Sequence, residues 1–334
     1  MTDTEPVIHG VPETILVAPD SFKGTFSATE VAAAIGRGLR AGGRPVDLCP
    51  VADGGEGTMT ALIESVGAAV VTAPVTDPLG RRIEAEFAIG GTVAIVETAA
   101  AGGLGLVAQP ERDPVAATTA GTGELILAAA KAGADTIYLG VGGSATTDGG
   151  AGAIKAIEGA GGLHGVRLVV LCDVRTSFQD AARVYGPQKG ASADQVRSLT
   201  KRLNALARRL PRDPRGVPMT GAAGGLSGGL WSAFGAELVP GAAFVLDAVG
   251  FDARMRSARA VVGGEGKLDQ QSLVGKILSE VATRARQAGV PCHAVVGTRE
   301  LDSMGARVLD LDRVIVASTI VEIEAAGRAL AEVI

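Results

Sequence analysis

The chain has 334 residues, a formal net charge of −5, 47% hydrophobic and 20% charged side chains. This composition excludes a disordered chain, offers no basic field for nucleic acid, and at this length points to two domains with a core each. No stretch reaches about 18 uninterrupted apolar residues, and the acidic opening MTDTEPVIHGVPET lacks the apolar run of a secretory signal, so a soluble, cytoplasmic protein with no membrane partner is expected.

TILVAP (14–19) is a short apolar run ending at Asp20, as a buried parallel strand would. SATE (27–30) offers a capping box, Ser27 with Glu30, and Val31, Ile35 and Leu39 carry a helix on to about Arg40. RPVDLCPVAD (44–53) reads as the next strand, again closing on an aspartate. This β-α-β unit would bring Asp20 and Asp53 to one sheet edge, the carboxyl edge at which open parallel sheets bind ligands.

After about Ala69 the texture changes. RRIEAEFAIGGTVAIVE (81–97) alternates apolar and polar residues about Gly90-Gly91, a hairpin signal. GTGELILAAAKAGADTIYLGVGG (121–143) predicts helix, glycine stop and strand, and GAGAIKAIEGAG (150–161) a short helix. SADQVRSLTKRLNALARRL (192–210) opens with a second capping box, Ser192 with Gln195; its arginines accompany Leu199, Leu203, Leu206 and Leu210 at helical spacing, a solvated helix face rather than a nucleic-acid footprint. From about Ser257 the alternation resumes. ARAVVGGEG (258–266) reads as strand and loop, 272–289 as a helix closed by Gly289, VPCHAVVG (290–297) and DRVIVAS (312–318) as strands, and 321–334 as a final helix. The expected architecture is a discontinuous parallel-sheet α/β domain from residues 1–70 and 250–334, with a second α/β domain, 71–249, inserted into it.

Several glycine-rich segments place a charged residue at an element boundary. VGGSATTDGGAG (141–152) lies between a predicted strand and helix. Backbone amides at Gly142 and Gly143, with the hydroxyls of Ser144, Thr146 and Thr147, could cradle phosphate. A tight turn with Asp148 capping the helix accounts for it equally well. GGEGKLDQQSLVGK (263–276) reads as a second such loop, with Gly264 and Gly266, with Glu265 and Asp269 as candidate Mg²⁺ ligands, and with Lys267 and Lys276 as phosphate partners. It is not a Walker A loop, since GEGKL has no Ser or Thr after its lysine and Gly275 has no glycine five positions before it. PVADGGEGT (50–58) holds Asp53, Gly54, Gly55 and Glu56; GPQKGAS (186–192) presents Lys189; APDSFKG (18–24) presents Asp20, Ser21 and Lys23. Phosphoryl transfer uses this inventory: lysines and amides for phosphate charge, carboxylates for Mg²⁺, and one carboxylate beside the acceptor hydroxyl.

Other chemistries fit less well. No GxSxG elbow accompanies the histidines His9, His164 and His293, and PDSFKG stands where a dinucleotide fold would carry GxGxxG. Cys49, Cys172 and Cys292 lack CxxC spacing and are odd in number, which speaks for buried thiols in a reducing compartment rather than disulfides or zinc.

Taken together, APDSFKG, PVADGGEGT, GTGELI, GGSATTDGGAG, GPQKGAS, GAAGG and GEGKLDQQSLVGK, in that order over residues 15 to about 297, resemble the bacterial glycerate kinase family. The resemblance implies ATP-dependent phosphorylation of D-glycerate with Mg²⁺, described for such members as giving 2-phosphoglycerate, and two α/β domains with the active site in the cleft between them. On that resemblance Asp148, Asp173 and Lys189 are the catalytic candidates, with Asp53 a further base. Asp20, Ser21, Lys23, Asp53, Gly54, Gly55 and Glu56 would meet substrate. Gly142, Gly143, Ser144, Thr146, Gly264, Gly266, Lys267 and Lys276 would meet nucleotide phosphates, and Glu265 and Asp269 the metal.

The chain departs from the family pattern in two places. The stretch between the DGGAG helix and Cys172-Asp173-Val174 is shorter, and RTSFQDAA (175–182) replaces an Asn-Pro-Leu and a glycine-containing turn. A kinase of the same fold acting on another small hydroxy acid or polyol, or a non-catalytic nucleotide- or metabolite-binding homologue, therefore stands as an alternative. A homodimer is compatible with the sequence, which does not require one.

Overall fold

The computed structural model describes residues 13–273 and 276–334; His9 lies outside the described residues. In chain order, β1 (Ile15–Pro19), α1 (Ala28–Ala41) and β2 (Val46–Leu48) open the first of two compact units, Met1–Pro50 with Gly250–Ile334. The second unit, Val51–Val249, runs through α2 (Thr58–Val66), β3 (Ala69–Thr76), β4 (Arg82–Gly90), β5 (Val93–Glu97), α3 (Thr98–Gly102), α4 (Ala120–Lys131), β6 (Thr136–Gly140), α5 (Ala151–Gly159) and β7 (Arg167–Leu171). It closes with α6 (Ala181–Tyr185), α7 (Ala193–Ala207), α8 (Leu226–Phe234), β8 (Glu237–Val239) and α9 (Gly241–Ala248). The first unit then resumes with α10 (Phe251–Arg256), β9 (Ala260–Leu268), α11 (Ile277–Ala288), β10 (Cys292–Arg299), α12 (Ser303–Val308), β11 (Arg313–Val316) and α13 (Ile320–Ala331).

The first unit is a five-stranded, all-parallel sheet in the order β11-β10-β9-β1-β2. From β1 the chain winds one way to β2, and from β9 the other way to β10 and β11, so the winding reverses between β1 and β9. Such a reversal opens a crevice at the carboxyl ends of the two strands. Helices α1 and α13 cover one face, burying Val31, Ile35 and Leu39 with Ile323 and Leu330 against Ile15, Val17 and Val262. The expected capping box holds α1: Ser27 Oγ accepts from the Glu30 amide, and Glu30 accepts from the Ser27 amide.

The second unit is a six-stranded mixed sheet, β3-β4-β5-β6-β7-β8. The hairpin expected about Gly90-Gly91 is β4–β5, antiparallel, while β5 to β8 run parallel. Phe87, Val96, Leu125, Ile126, Ile137 and Val170 form its core. Leu199 and Leu203 of α7 are buried beside Phe178, and the Ser192–Gln195 capping box is present. No described helix is long and apolar enough to cross a membrane.

Three expectations need correction. The strand expected over 44–53 is only Val46–Leu48, and the units divide at Pro50/Val51 rather than near 70. The reason is packing: α2 lies on β4, β5 and α9 of the second unit, and a Cβ on Gly54 would stand 3.0 Å from both Leu171 and Gly241. The glycine-rich segment 263–268 is no loop but the end of β9, its residues laddered to β1 and β10. Glycine is needed there because neighbouring backbone comes close; a Cβ on Gly264 would meet the Val295 carbonyl oxygen at 2.7 Å, and one on Gly266 the Phe22 Cα at 3.1 Å.

Helices α1 and α13 touch backbone to backbone, for a Cβ on Gly38 would overlap the Glu324 carbonyl oxygen and one on Gly327 that of Ile35. Gly38→Ala should therefore cost about 1–3 kcal/mol in chemical denaturation. Gly159→Ala, at the end of α5 with nothing within 4 Å, should be neutral or stabilising by up to about 1 kcal/mol.

Candidate active site

In the first unit the charged candidates gather where the winding reverses. Asp20 follows β1, its amide donating to the Gly264 carbonyl at 2.9 Å, so it stands beside Glu265 of β9. Both carboxylates are 4% exposed. Asp20 accepts from the Ser21 amide at 2.6 Å, and Lys23 is exposed on the turn that follows. Glu265 Oε2 lies 3.5 Å from Lys276 Nζ, which is also 3.4 Å from Asp269 Oδ1. Burial pushes the Glu265 carboxyl up, against the pull of Lys276. Its Oε1 is buried without a hydrogen-bond partner among the described residues. Lys267 turns to Glu300, 2.8 Å away, and more distantly to Asp269. No three described His, Cys, Asp or Glu side chains form a metal cluster; Glu265 and Asp269 meet instead across Lys276.

In the second unit the candidates line the carboxyl ends of β5, β6 and β7. Segment 141–152 is dense in glycine because backbones nest there. A Cβ on Gly142 would stand 2.5 Å from Gly55 Cα, and one on Gly149 2.8 Å from the Phe178 ring. Glycines on the facing turn and on α8 match them: a Cβ on Gly224 would overlap the Thr146 carbonyl oxygen, and one on Gly229 that of Gly149. Three of the segment's amides donate to neighbouring backbone, Val141 to Gly54, Ala145 to Gly102 and Gly149 to Gly224. The amides of Gly142, Gly143 and Ser144 have no acceptor among the described residues. Ser144 Oγ and Thr146 Oγ1 lie 2.9 Å apart.

Asp148 is 7% exposed and joins two helix starts. Its Oδ1 accepts from the Gly150 amide at 3.0 Å, and its Oδ2 from the Gly152 amide at 3.0 Å, both at the head of α5. The same Oδ2 accepts from the amide and hydroxyl of Thr119, the N-cap of α4, each at 2.9 Å. Helix N-termini favour an anion, so this carboxylate is held as an anchor. Asp173, at the end of β7, is half-buried and accepts from the Ala242 amide at 3.0 Å, at the start of α9. Asp53 accepts from the Gly55 amide at 3.0 Å, and Glu56 is exposed.

Lys189 is 3% exposed and donates to the Thr146 carbonyl at 2.5 Å. Burial pulls its ammonium down to about 7, against the attraction of Asp148. Burial pushes the thiols of the free cysteines up, Cys49 to about 11 and Cys172 and Cys292 to about 12, so none is a ready nucleophile.

Three residues were not singled out by the sequence. Glu97 is half-buried and accepts from the Met59 amide at 2.7 Å, capping α2. Arg202 ties two loops together through the carbonyls of Val115 and Thr147. Arg112 lines a recess together with Lys189. Its one local signal is PERDP (110–114), an arginine in a turn stiffened by two prolines.

Two α/β sheets collect carboxylates and lysines at the carboxyl ends of their parallel strands, the edge at which open α/β proteins bind ligands. The model of the glycerate kinase family matches residues 15–161 and 158–332, and the chain belongs to that family. It is 39% identical to a glycerate kinase of Bacillus subtilis, over 86% of each chain. It is 38% identical to a glycerate 2-kinase of Escherichia coli, over 85% of each. A crystal structure from Salmonella typhimurium carrying the name glycerate kinase 2 superposes with a TM-score of 0.78 at 33% identity, covering 96% of this chain and 97% of that one.

Lys189 makes a stability prediction. Its folded value lies near 7 and its unfolded value near 10.5, so between them the unfolded chain holds a proton that the folded chain lacks. Stability from this group therefore rises with pH from about 7 towards 10.5. Melting curves from about pH 7 to about pH 8.5 should show wild type gaining on Lys189→Met; parallel curves would contradict the burial of an ionisable Lys189.

Proposed function

We propose that the protein transfers the γ-phosphoryl group of ATP to a hydroxyl of D-glycerate, giving 2-phosphoglycerate and ADP. The observation that carries this reading is family membership from residue 15 to residue 332, supported by relatives named for the same reaction at 38–39% identity. We assign the base to Asp173, which is half-buried where Asp148 is enclosed. It would take the hydroxyl proton as the new P–O bond forms and the β–γ bond breaks. Asp53 is the neighbouring alternative. The unengaged amides of Gly142, Gly143 and Ser144 suit phosphate oxygens, and Lys276 suits nucleotide phosphate charge.

The acidic pair also fits Mg²⁺, which is held through one or two carboxylates and keeps several waters. Glu265 has a buried oxygen without a partner, and Asp269 shares its lysine. When bound there, the ion would neutralise charge on the phosphates. Asp20, Ser21 and Lys23 complete this group. The buried free cysteines suit a reducing compartment, so the reaction is assigned to the cytoplasm.

A different small hydroxy acid as acceptor is favoured by one feature. The departing segment 175–182 packs as a short helical turn with Phe178 fully buried, and the Phe178 amide is fixed to Thr220. Purified protein with ATP, Mg²⁺ and D-glycerate should release ADP only when glycerate is present, with a single phosphorylated product by NMR. Release with another hydroxy acid but not glycerate would favour the second reading, and no release with any acceptor would overturn both.

A further inference from the structure

We propose that the recess of the second unit lined by Arg112 and Lys189 seats the carboxylate of the acceptor, with Arg112 as a binding and specificity residue. This rests on the acceptor being a small hydroxy acid, as proposed above. The recess is narrow, leaving about 10 Å³ for the centre of a water-sized group, so it admits one small polar group such as a carboxylate end at its mouth and excludes a nucleotide. Leu79, Leu104, Val107 and Ala145 form apolar walls, suited to a short carbon skeleton and poorly suited to a polyphosphate.

Two basic side chains, Arg112 and a Lys189 that is an ammonium below about pH 7, face this space with donors to spare. Lys189 has three N–H donors and, among the described residues, one acceptor, the Thr146 carbonyl. Arg112 forms no side-chain hydrogen bond or ion pair among the described residues, and its Nε is buried without a partner. A buried donor left unpaired is costly, and a carboxylate would satisfy it with the planar fork that guanidinium groups match. The recess holds one carboxylate of its own, Asp113, whose Oδ1 already accepts from the Val115 and Ala116 amides at 2.9 and 3.0 Å. The balance of charge therefore favours an anion. Lys189 also links the recess to the proposed phosphate-binding segment, because the carbonyl it holds belongs to Thr146. An acceptor fixed here by its carboxylate would present its hydroxyls beside that segment.

The shared chemistry is an oxyanion, which a transferred phosphoryl group also offers, and the test separates the two. Wild type, Arg112→Gln and Arg112→Lys are titrated calorimetrically with D-glycerate, with glycerol and with inorganic phosphate, and KM is measured for glycerate and for ATP. Arg112→Gln should raise the glycerate Kd and KM by about 10- to 100-fold. It should leave the ATP KM within about twofold, and Arg112→Lys should recover part of the loss. Unchanged glycerate binding in a folded Arg112→Gln overturns the proposal, as does weakened phosphate binding with glycerate intact. Wild type that binds glycerate through Arg112 without turning it over would remove the proposed reaction and keep this subsite. Turnover with an Arg112-independent KM would do the reverse.

Discussion

The carboxylate of Asp148 is the constraint on which the second unit's site depends. One buried side chain accepts from the heads of both α4 and α5, so the starts of two helices are fixed to a single point. Thr119 extends the link, its hydroxyl donating to Asp148 and accepting from the Ala153 amide at 3.0 Å. The positive ends of two helices and the ammonium of Lys189 make the buried charge tenable. An asparagine in its place would set an amide group against several N–H donors.

The glycines serve the same end. Around Asp148 the segments near 54–55 and 142–150 and the start of α8 near 224–229 touch through their backbones, and a Cβ on Gly54, Gly142, Gly224 or Gly229 would crowd a carbonyl oxygen or a Cα. Within 141–152, close packing of main chain on main chain leaves the amides of Gly142, Gly143, Ser144, Thr147 and Asp148 without an acceptor among the described residues. It also fixes where they lie. The first unit follows the same logic at Gly264, Gly266 and Gly297, which let β9, β10 and the turn at Phe22 close up beside Asp20 and Glu265.

Elements with local signals were legible in the sequence. The capping boxes at Ser27 and Ser192, the hairpin at Gly90-Gly91 and the helix ended by Gly289 all depend on residues a few positions apart. Features set by distant partners were not. Gly263, Gly264 and Gly266 spell a loop by local rules, yet the ladder to β1 and β10 makes them strand. Residues 51–66 continue the first strand pair in sequence, but Gly54 belongs against Leu171 and Gly241. Asp148 and Glu265 stood out as candidates because they lie among glycines at strand ends, and Asp173 because Cys172-Asp173-Val174 matches the family pattern. Arg112 was not, since its significance comes from Lys189, far along the chain, lining the same recess.

The candidate chemistry thus rests on a division of labour among carboxylates. Asp148 holds the frame, and in the proposed reaction Asp173 would meet the acceptor and Glu265 with Asp269 would face the metal and phosphates. The most direct test compares Asp148→Asn with wild type for both denaturation free energy and turnover per folded molecule. An anchoring role predicts a loss of about 2–5 kcal/mol in stability, with turnover largely kept in the molecules that remain folded. A variant as stable as wild type but without turnover would contradict it, and would make Asp148 the base.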